Sequence, residues 1–144
     1  MTAMTLAAAN SIISEAFSEA ARRGARPLAM AVLTAEGSVI SLQRQDGASM
    51  FRTDVATGKA WGAVAMGQST RKLAEKAREN PSFVQGLAAV SGGRILASPG
   101  GVLVTDAAGR VLGSAGISGD SGPNDEAIAI HGIEAAGFVA AHEV

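Results

Sequence analysis

The sequence SPGGVLVTDAAGRVLGSAGISGDSGPNDE, residues 98–126, carries the clearest structural signal in this chain. Two apolar runs, residues 102–105 and 111–117, flank a turn at residues 106–109, which is the pattern of a β-hairpin. A glycine-rich loop then leads to Pro123, and proline suits the first position of a helix. The stretch therefore predicts a hairpin that is followed directly by the last helix of the protein.

The residues before this stretch predict a helix and another hairpin. Apolar residues recur at helical spacing from Leu6 to Ala21, and Gly24 is expected to end that helix. Residues 28–34 and 39–43 are apolar runs separated by a short turn, which predicts the first hairpin. Helix and hairpin therefore precede the middle of the chain.

Three helices are predicted in the middle of the chain. Thr53 or Asp54 is expected to cap the first helix, and Gly67 separates it from a second helix that starts at Ser69. The second helix ends and the third starts at Asn80-Pro81, because proline disfavours the α conformation of the residue before it. A helical middle therefore lies between the two hairpins.

The order of these elements predicts one α+β domain. A length of 144 residues suffices for a single domain with a sizeable core, so we expect residues 1–144 to form one domain. The two hairpins and a short edge strand at residues 94–97 predict an antiparallel sheet of about five strands packed with helices. The last helix is expected to reach Gly137 and Phe138.

Composition and charge exclude several classes of partner. A net charge of −1 offers no attraction to phosphate backbones, so nucleic acid is not an expected partner. The absence of cysteine excludes disulfides and thiolate metal sites. Residues 1–24 have no basic start, and polar residues interrupt their apolar run, so neither a signal peptide nor a membrane span is predicted. We expect a cytoplasmic protein with no membrane partner.

The glycine-rich loops are the first candidate for a ligand site. Backbone amides of residues 116–122 can hold an anion at a helix start, and Ser118, Asp120 and Ser121 add donors and acceptors. The same residues also fit ordinary turn and helix-start chemistry without a ligand. The segment Pro99-Gly100-Gly101 would let a ligand approach the main chain, or would allow a bulge before a strand.

A pair of cations, Arg44 and Lys59, is the second candidate for a ligand site. They would bind a carboxylate, with Asp46 orienting one of them. The alternative is a solvated turn and a lysine whose stem covers apolar surface. Lys59 lies among alanines and beside Trp61, where partial burial would favour a neutral, basic amine. Lys59 is therefore one candidate catalytic residue. Asp125, near the start of the predicted last helix, is the other, as its acid/base partner.

Histidines and paired carboxylates offer few ligands for a metal. His131 has Glu134 three residues on, which fits a surface pair, an interface contact or an axial ligand for haem iron. His142 lies near a chain end that is expected to fray. Glu75 and Glu79 lie one turn apart beside basic residues, which is typical of a surface ion-pair network, and no metal site is predicted.

Four motifs in order resemble those of the GlcG/HbpS family, and the resemblance covers nearly the whole chain. They are Arg44-Gln-Asp-Gly-Ala48, the helix around Lys59-Ala60, Ser98-Pro-Gly-Gly101, and Gly116-Ile-Ser-Gly119 with Asp125-Glu126. The resemblance implies a profilin-like sandwich, related to the C-terminal domain of PduO, that assembles as a homo-oligomer: a dimer, tetramer or octamer. It also implies a small ligand, because family members bind haem or are encoded beside enzymes of glycolate or aromatic-acid catabolism.

The resemblance points to haem or a small organic acid as the ligand. The predicted first helix carries no histidine, and the chain has no Glu-x-x-Glu iron motif, so a histidine-ligated haem would use His131 or His142. The candidate ligand-binding residues are Arg44, Asp46, Lys59, Pro99, Gly100, Gly101, Ser118, Gly119, Asp120, Ser121 and Glu126.

Three functions are consistent with these observations. We predict a cytoplasmic homo-oligomer that binds a small ligand and is accessory to a catabolic pathway. The alternative is an enzyme acting on a small carboxylate, with Lys59 as base or anchor, Asp120 or Asp125 as its partner, and loop amides stabilising an enolate or oxyanion. The third is a structural oligomerisation module whose small-residue helices form the contacts between copies.

Overall fold

The computed structural model describes residues 3–141, which contain five α-helices and five β-strands. In chain order the elements are α1 Leu6–Arg23, β1 Ala29–Thr34, β2 Val39–Arg44, α2 Phe51–Met66, α3 Thr70–Glu79, α4 Pro81–Val90, β3 Gly101–Thr105, β4 Val111–Ser118, α5 Gly122–Ala135 and β5 Val139–Ala141. His142 lies outside the described residues. No helix within residues 3–141 is long and apolar enough to cross a bilayer.

The five strands form one antiparallel sheet in the order β2-β1-β4-β3-β5. Both predicted hairpins are confirmed, since β1 pairs with β2 and β3 pairs with β4. The two hairpins join through β1 and β4, where Ala29 lies opposite Ser118. The sheet and its helices confirm the predicted α+β class.

The fifth strand is not the predicted one. Residues 94–97 form no strand, and β5 instead pairs with the outer edge of β3, where Thr105 Oγ1 donates to the Val139 carbonyl oxygen at 3.1 Å. The edge of β3 is thus occupied by the end of the chain. Ile95 is buried in a cluster with Leu73 and Val84, so this segment packs on α3 and α4 instead.

Helix α2 begins at Phe51, so the prediction of Thr53 or Asp54 as its cap is wrong. Met50 occupies the capping position without a side-chain capping bond, and Thr53 Oγ1 donates to the Met50 carbonyl oxygen at 3.0 Å. Threonine side chains compete for nearby backbone groups in this way, and the hydroxyl then does not mark the helix start.

The predicted ends of α1 and α2 are confirmed, and that of α5 is not. Gly24 and Gly67 follow these two helices in the left-handed conformation, at φ 64° and 67°. Helix α5 ends at Ala135, so Gly137 and Phe138 lie beyond it. Gly137 has φ 95°, a conformation that stops the helix and lets the chain turn into β5.

Helices cover both faces of the sheet. On one face, α1 and α5 bury a cluster with residues that include Ile12, Ile13, Met30, Val32, Val102, Ile117, Ile128 and Ile133. On the other face, α2 packs through Ala56 and Ala60 on alternate residues of β1, namely Ala29, Ala31 and Leu33. The sheet therefore separates two parts of the core, because successive side chains of β1 point to opposite faces of the sheet.

Small residues beneath α2 bring its backbone close to the sheet. A Cβ added at Gly101 or Gly116 would overlap the carbonyl oxygen of Lys59 or Ala56, respectively. Ser114 Oγ donates to the α2 backbone at 2.6 Å. Larger residues at these positions would hold the helix away, so the glycines decide how deeply Lys59 enters the protein.

Candidate functional site

Lys59 points from α2 into the protein and not into solvent. Its Nζ donates to the carbonyl oxygen of Ile117 at 2.9 Å and to Asp125 Oδ2 at 3.0 Å. The Lys59 and Asp125 side chains are 4% and 2% exposed. A buried ammonium needs such partners, because its desolvation is costly unless it is paired and hydrogen-bonded.

Asp125 is held on the first turn of α5. Its Oδ1 accepts a hydrogen bond from the Asp120 backbone amide at 3.0 Å, and its own amide donates to the Ser121 carbonyl oxygen at 2.8 Å. Burial raises the pKa of the Asp125 carboxyl, and the Lys59 ammonium partly opposes that shift. The Lys59–Asp125 pair therefore joins α2, the end of β4 and the start of α5.

The loop before β3 closes over this pair. Thr70 Oγ1 donates to the Ser98 carbonyl oxygen and accepts from the Gly101 amide at 2.8 Å. A Cβ at Gly100 would come within 2.9 Å of Lys59 Nζ, so the loop backbone lies directly against the amine. This junction is closely packed around Lys59 and Asp125.

Charged side chains surround the junction on its outer side. Arg52 Nη1 donates to Ser118 Oγ at 3.2 Å, and Arg71 Nε donates to Glu126 Oε1 at 3.3 Å. The second oxygen of Glu126 is buried and makes no hydrogen bond within the described residues. Arg71 also contacts Glu75 at 3.4 Å. The arginines thus link α2 and α3 to β4 and α5.

Asp120 anchors the glycine-rich loop to the chain before β1. Asn124 Nδ2 donates to its Oδ2 at 2.7 Å, and the backbone amide and Nε of Arg26 each donate to its Oδ1 at 3.2 Å. These hydrogen bonds, with that of Asn124 the largest contribution, hold the pKa of the Asp120 carboxyl well below its ordinary value of 3.8.

Replacing Asp120 with asparagine should flatten the acid-induced loss of stability. Because the folded-state pKa lies below 3.8, the carboxylate stabilises the fold above that pH, and this contribution is lost as the pH falls through the folded-state pKa. The urea midpoint of Asp120→Asn should therefore change less between about pH 5 and about pH 2 than that of the wild type. Asp46→Asn, at an exposed turn, is the control, and equal slopes in all three proteins would refute this role.

The structure brings most of the predicted ligand-binding residues together around the predicted catalytic pair, Lys59 and Asp125. They are Lys59, Pro99, Gly100, Gly101, Ser118, Gly119, Asp120, Ser121, Asp125 and Glu126. Arg44 and Asp46 instead lie exposed at the end of β2. Arg44 pairs with Ala29 of β1, and Ala29 pairs on its other side with Ser118 of β4, so strand β1 separates Arg44 from the end of β4. Lys59 is directed at Asp125, so the two cations do not converge as a pair.

His131 lies apart from these loops. It is nine residues past Gly122, which is about 13 Å along the helix at 1.5 Å per residue. Its Nε2 is 3.0 Å from Arg22 Nη2 and 3.8 Å from Glu19 Oε1, and its side chain is 39% exposed. Within residues 3–141, no three His, Cys, Asp or Glu side chains are grouped as metal ligands.

A cleft on the outer side of α2 was not predicted from the sequence. It has a volume of about 380 Å³ and is lined by Gly37, Asp54, Thr57, Gly58, Trp61, Gly93 and Arg94. The Arg94 guanidinium lies 4.4 Å from the centre of the Trp61 ring. Trp61 is the only tryptophan, and Arg94 follows a Gly-Gly pair, but nothing in their spacing indicates that they meet.

The fold is similar to several solved structures. PduOC in its complex with haem is 26% identical, and the alignment covers 97% of this chain and 99% of that one, with a TM-score of 0.85. Klebsiella pneumoniae ORFY is 25% identical over 94% of this chain and 92% of that one, with a TM-score of 0.85. A double mutant of Streptomyces reticuli HbpS is 30% identical over 95% and 89%, with a TM-score of 0.81.

The family assignment rests on the sequence as well as on the fold. No curated protein sequence shows a significant match to this chain. The model of a family described as haem degrading protein HbpS-like, however, matches residues 4–134, from just before α1 almost to the end of α5. Together with the likeness to HbpS itself, this match confirms the resemblance seen in the motifs, and the chain belongs to the HbpS-like family.

Proposed function

We propose that this protein binds a small ligand and that haem is the first ligand to test. The observation that supports the proposal is the likeness to PduOC, a structure solved with haem, over 97% of this chain. The family description, haem degrading protein HbpS-like, points to the same ligand. When bound, haem supplies a redox-active iron centre, and the protein's part is to bind and orient it.

The described residues restrict where haem iron would be ligated. Protein ligands of haem iron are usually His, Met, Cys or Tyr, and none of these lines the cleft beside Trp61. His131 is the histidine within the described residues, and its imidazole is accessible beside α1. The Arg22 guanidinium, whose Nη2 lies 3.0 Å from His131 Nε2, would have to move aside for iron to reach that nitrogen. Among the described residues, His131 and the exposed Met50 would be able to hold the iron, and His131 is the first to test.

Haemin titration of His131→Ala tests this assignment. We expect the wild type to bind haemin with a shifted Soret band, and the variant to lose that band or to bind at least about tenfold more weakly, because the iron loses its imidazole. His142→Ala is the matched control and should bind as the wild type does. Equal binding by the wild type and His131→Ala would exclude His131, and loss in His142→Ala would assign the ligand to the chain end.

A small organic acid is the second candidate ligand. The observation that favours it is the cleft beside Trp61, which has a cationic side chain and, as described above, none of the usual iron ligands. A pocket of this kind, mainly apolar with a few polar groups, is the usual form of a small-molecule site. Acid/base catalysis by Lys59 would require a substrate to reach an amine that is 4% exposed, so it would need the loop before β3 to open.

A further inference from the structure

We infer that the cleft beside Trp61 binds a small organic acid, with the ligand carboxylate on the Arg94 guanidinium and its apolar body beside Val55 and Leu96. The inference rests on the proposed ligand-binding function and specifies a ligand class and a site. None of the residues that line the cleft belongs to the Lys59–Asp125 junction, so the two sites are separate. It is also separate from His131.

The Arg94 guanidinium is held in place before any ligand arrives. Its Nε donates to the Ser91 carbonyl oxygen at 2.6 Å, and its planar group stacks over the Trp61 ring at 4.4 Å. The backbone amides of Arg94 and Ile95 donate to Ser91 Oγ at 3.2 and 3.3 Å, which fixes the turn that carries the arginine. The rotational freedom that binding usually removes is therefore already restricted.

The two terminal nitrogens of Arg94 remain available to a ligand. Within the described residues they make no hydrogen bond or ion pair, although Asp54 lines the same cleft. A guanidinium with two parallel donors matches the two oxygens of a carboxylate, and such bidentate pairs are among the strong hydrogen bonds in proteins. A single carboxylate group suffices to use both nitrogens.

The indole of Trp61 adds another donor to the cleft. A Cβ at Gly37 would come within 3.3 Å of Trp61 Nε1, so the absence of a side chain there leaves space beside the N–H. Trp61 is half-buried, and its N–H makes no hydrogen bond within the described residues, so it is available to a ligand. The Asp54 carboxylate, which lines the same cleft, is an acceptor that suits a ligand hydroxyl.

A second cleft continues the first on its apolar side. It has a volume of about 160 Å³ and is lined by Phe51, Asp54, Val55, Gly58, Gly93, Arg94 and Leu96. Arg94 borders both clefts, so a carboxylate on its nitrogens leaves the rest of the ligand beside Val55 and Leu96. The arrangement suits an acid with a compact apolar body, such as an aromatic acid or a short fatty acid.

Fluorescence of Trp61 provides a local probe for this site, because the chain has only one tryptophan. Benzoate is the test ligand and benzamide is its neutral counterpart. We expect benzoate to change the emission and to bind more tightly than benzamide. Arg94→Gln should weaken benzoate binding, measured by calorimetry, by about 10- to 100-fold, as loss of a charge-assisted pair does. It should leave benzamide nearly unchanged.

One control variant and two further probes, hexanoate and haemin, separate failure of this inference from failure of the proposed function. Arg110→Gln, an exposed arginine in the turn between β3 and β4, should bind benzoate as the wild type does. Benzoate that binds without changing Trp61 emission, and equally well to Arg94→Gln, would overturn the cleft as the site while leaving ligand binding intact. If neither benzoate nor hexanoate, a short fatty acid, binds while haemin clearly does, the cleft is likewise overturned as an organic-acid site and the proposed ligand binding stands. If benzoate, hexanoate and haemin all fail to bind, both the inference about the cleft and the proposed ligand-binding function are overturned.

Discussion

Lys59→Met should lower the free energy of unfolding by about 3–5 kcal/mol, which is the usual cost of removing one partner of a buried ion pair. Methionine preserves the apolar length of the side chain but leaves Asp125 without its ammonium and the Ile117 carbonyl oxygen without its donor. Both groups are buried where water does not replace the lost bonds. Urea unfolding followed by circular dichroism measures the change.

The pH dependence of this variant identifies the charge that is left behind. Burial already raises the pKa of Asp125 above 3.8, and loss of Lys59 removes the contact that lowers it. A carboxyl with a raised folded-state pKa contributes its full stability below the unfolded pKa and loses it as the pH rises through the folded value. The difference between wild type and Lys59→Met should therefore be largest at neutral pH and smaller near about pH 4.

Two further variants test the ion pair itself. Lys72→Met makes the same chemical change on a half-buried lysine of α3 and should alter stability by at most about 0.5 kcal/mol. The double variant Lys59→Met/Asp125→Leu should recover part of the loss, because no unpaired charge remains in the protein. A destabilisation by Lys59→Met no larger than that of Lys72→Met would show that the pair does not hold the junction.

Gly116→Ala should destabilise the protein by about 3 kcal/mol, at the upper end of the range for overpacked cores. The added methyl group would overlap the carbonyl oxygen of Ala56 and lie 2.6 Å from the amide nitrogen of Ala60. Both atoms belong to the backbone of α2, so no side-chain rotation relieves the contact. The whole helix would have to move away from the sheet, and Lys59 with it.

Gly86→Ala is the matched control, because the same methyl group enters open space. Gly86 lies in the middle of α4, and no atom is within 4 Å of its added Cβ. Alanine has the higher helix propensity, so this variant should gain up to about 1 kcal/mol. Thermal unfolding of both variants gives the comparison. Equal effects of the two substitutions would mean that α2 tolerates displacement from the sheet.

The local elements were largely predictable because short-range chemistry determines them. The turn residues of both hairpins, Gly24 and Gly67 after their helices, and Asn80-Pro81 between two helices all behave as their types predict. The predicted edge strand was wrong because a run of three apolar residues after Arg94 fits a strand as well as a packed loop. Only the competition for the edge of β3, which Val139–Ala141 occupies, distinguishes the two.

The candidate site was predictable in its members but not in its arrangement. The sequence predicted Asp120 or Asp125 as the partner of Lys59. The spacing of 66 residues could not indicate which of the two carboxylates contacts the amine, or that the pair is buried. The meeting of Arg94 with Trp61 is another such contact, since it depends on how the loop after α4 returns across α2. Both contacts form only when helices settle on the sheet.

The two hairpins, the ends of α1 and α2 and the junction of α3 with α4 follow from residues that are neighbours along this chain, because turn geometry and backbone conformation are local properties. The α+β class follows from the order of these elements, and the family from four motifs in order along the chain. Burial of Lys59, exposure of Arg44 and the cleft beside Trp61 follow from packing between distant segments. The depth to which α2 sinks onto the sheet decides how far Lys59 is buried, and that depth depends on Gly101 and Gly116 in strands that the helix meets only in three dimensions.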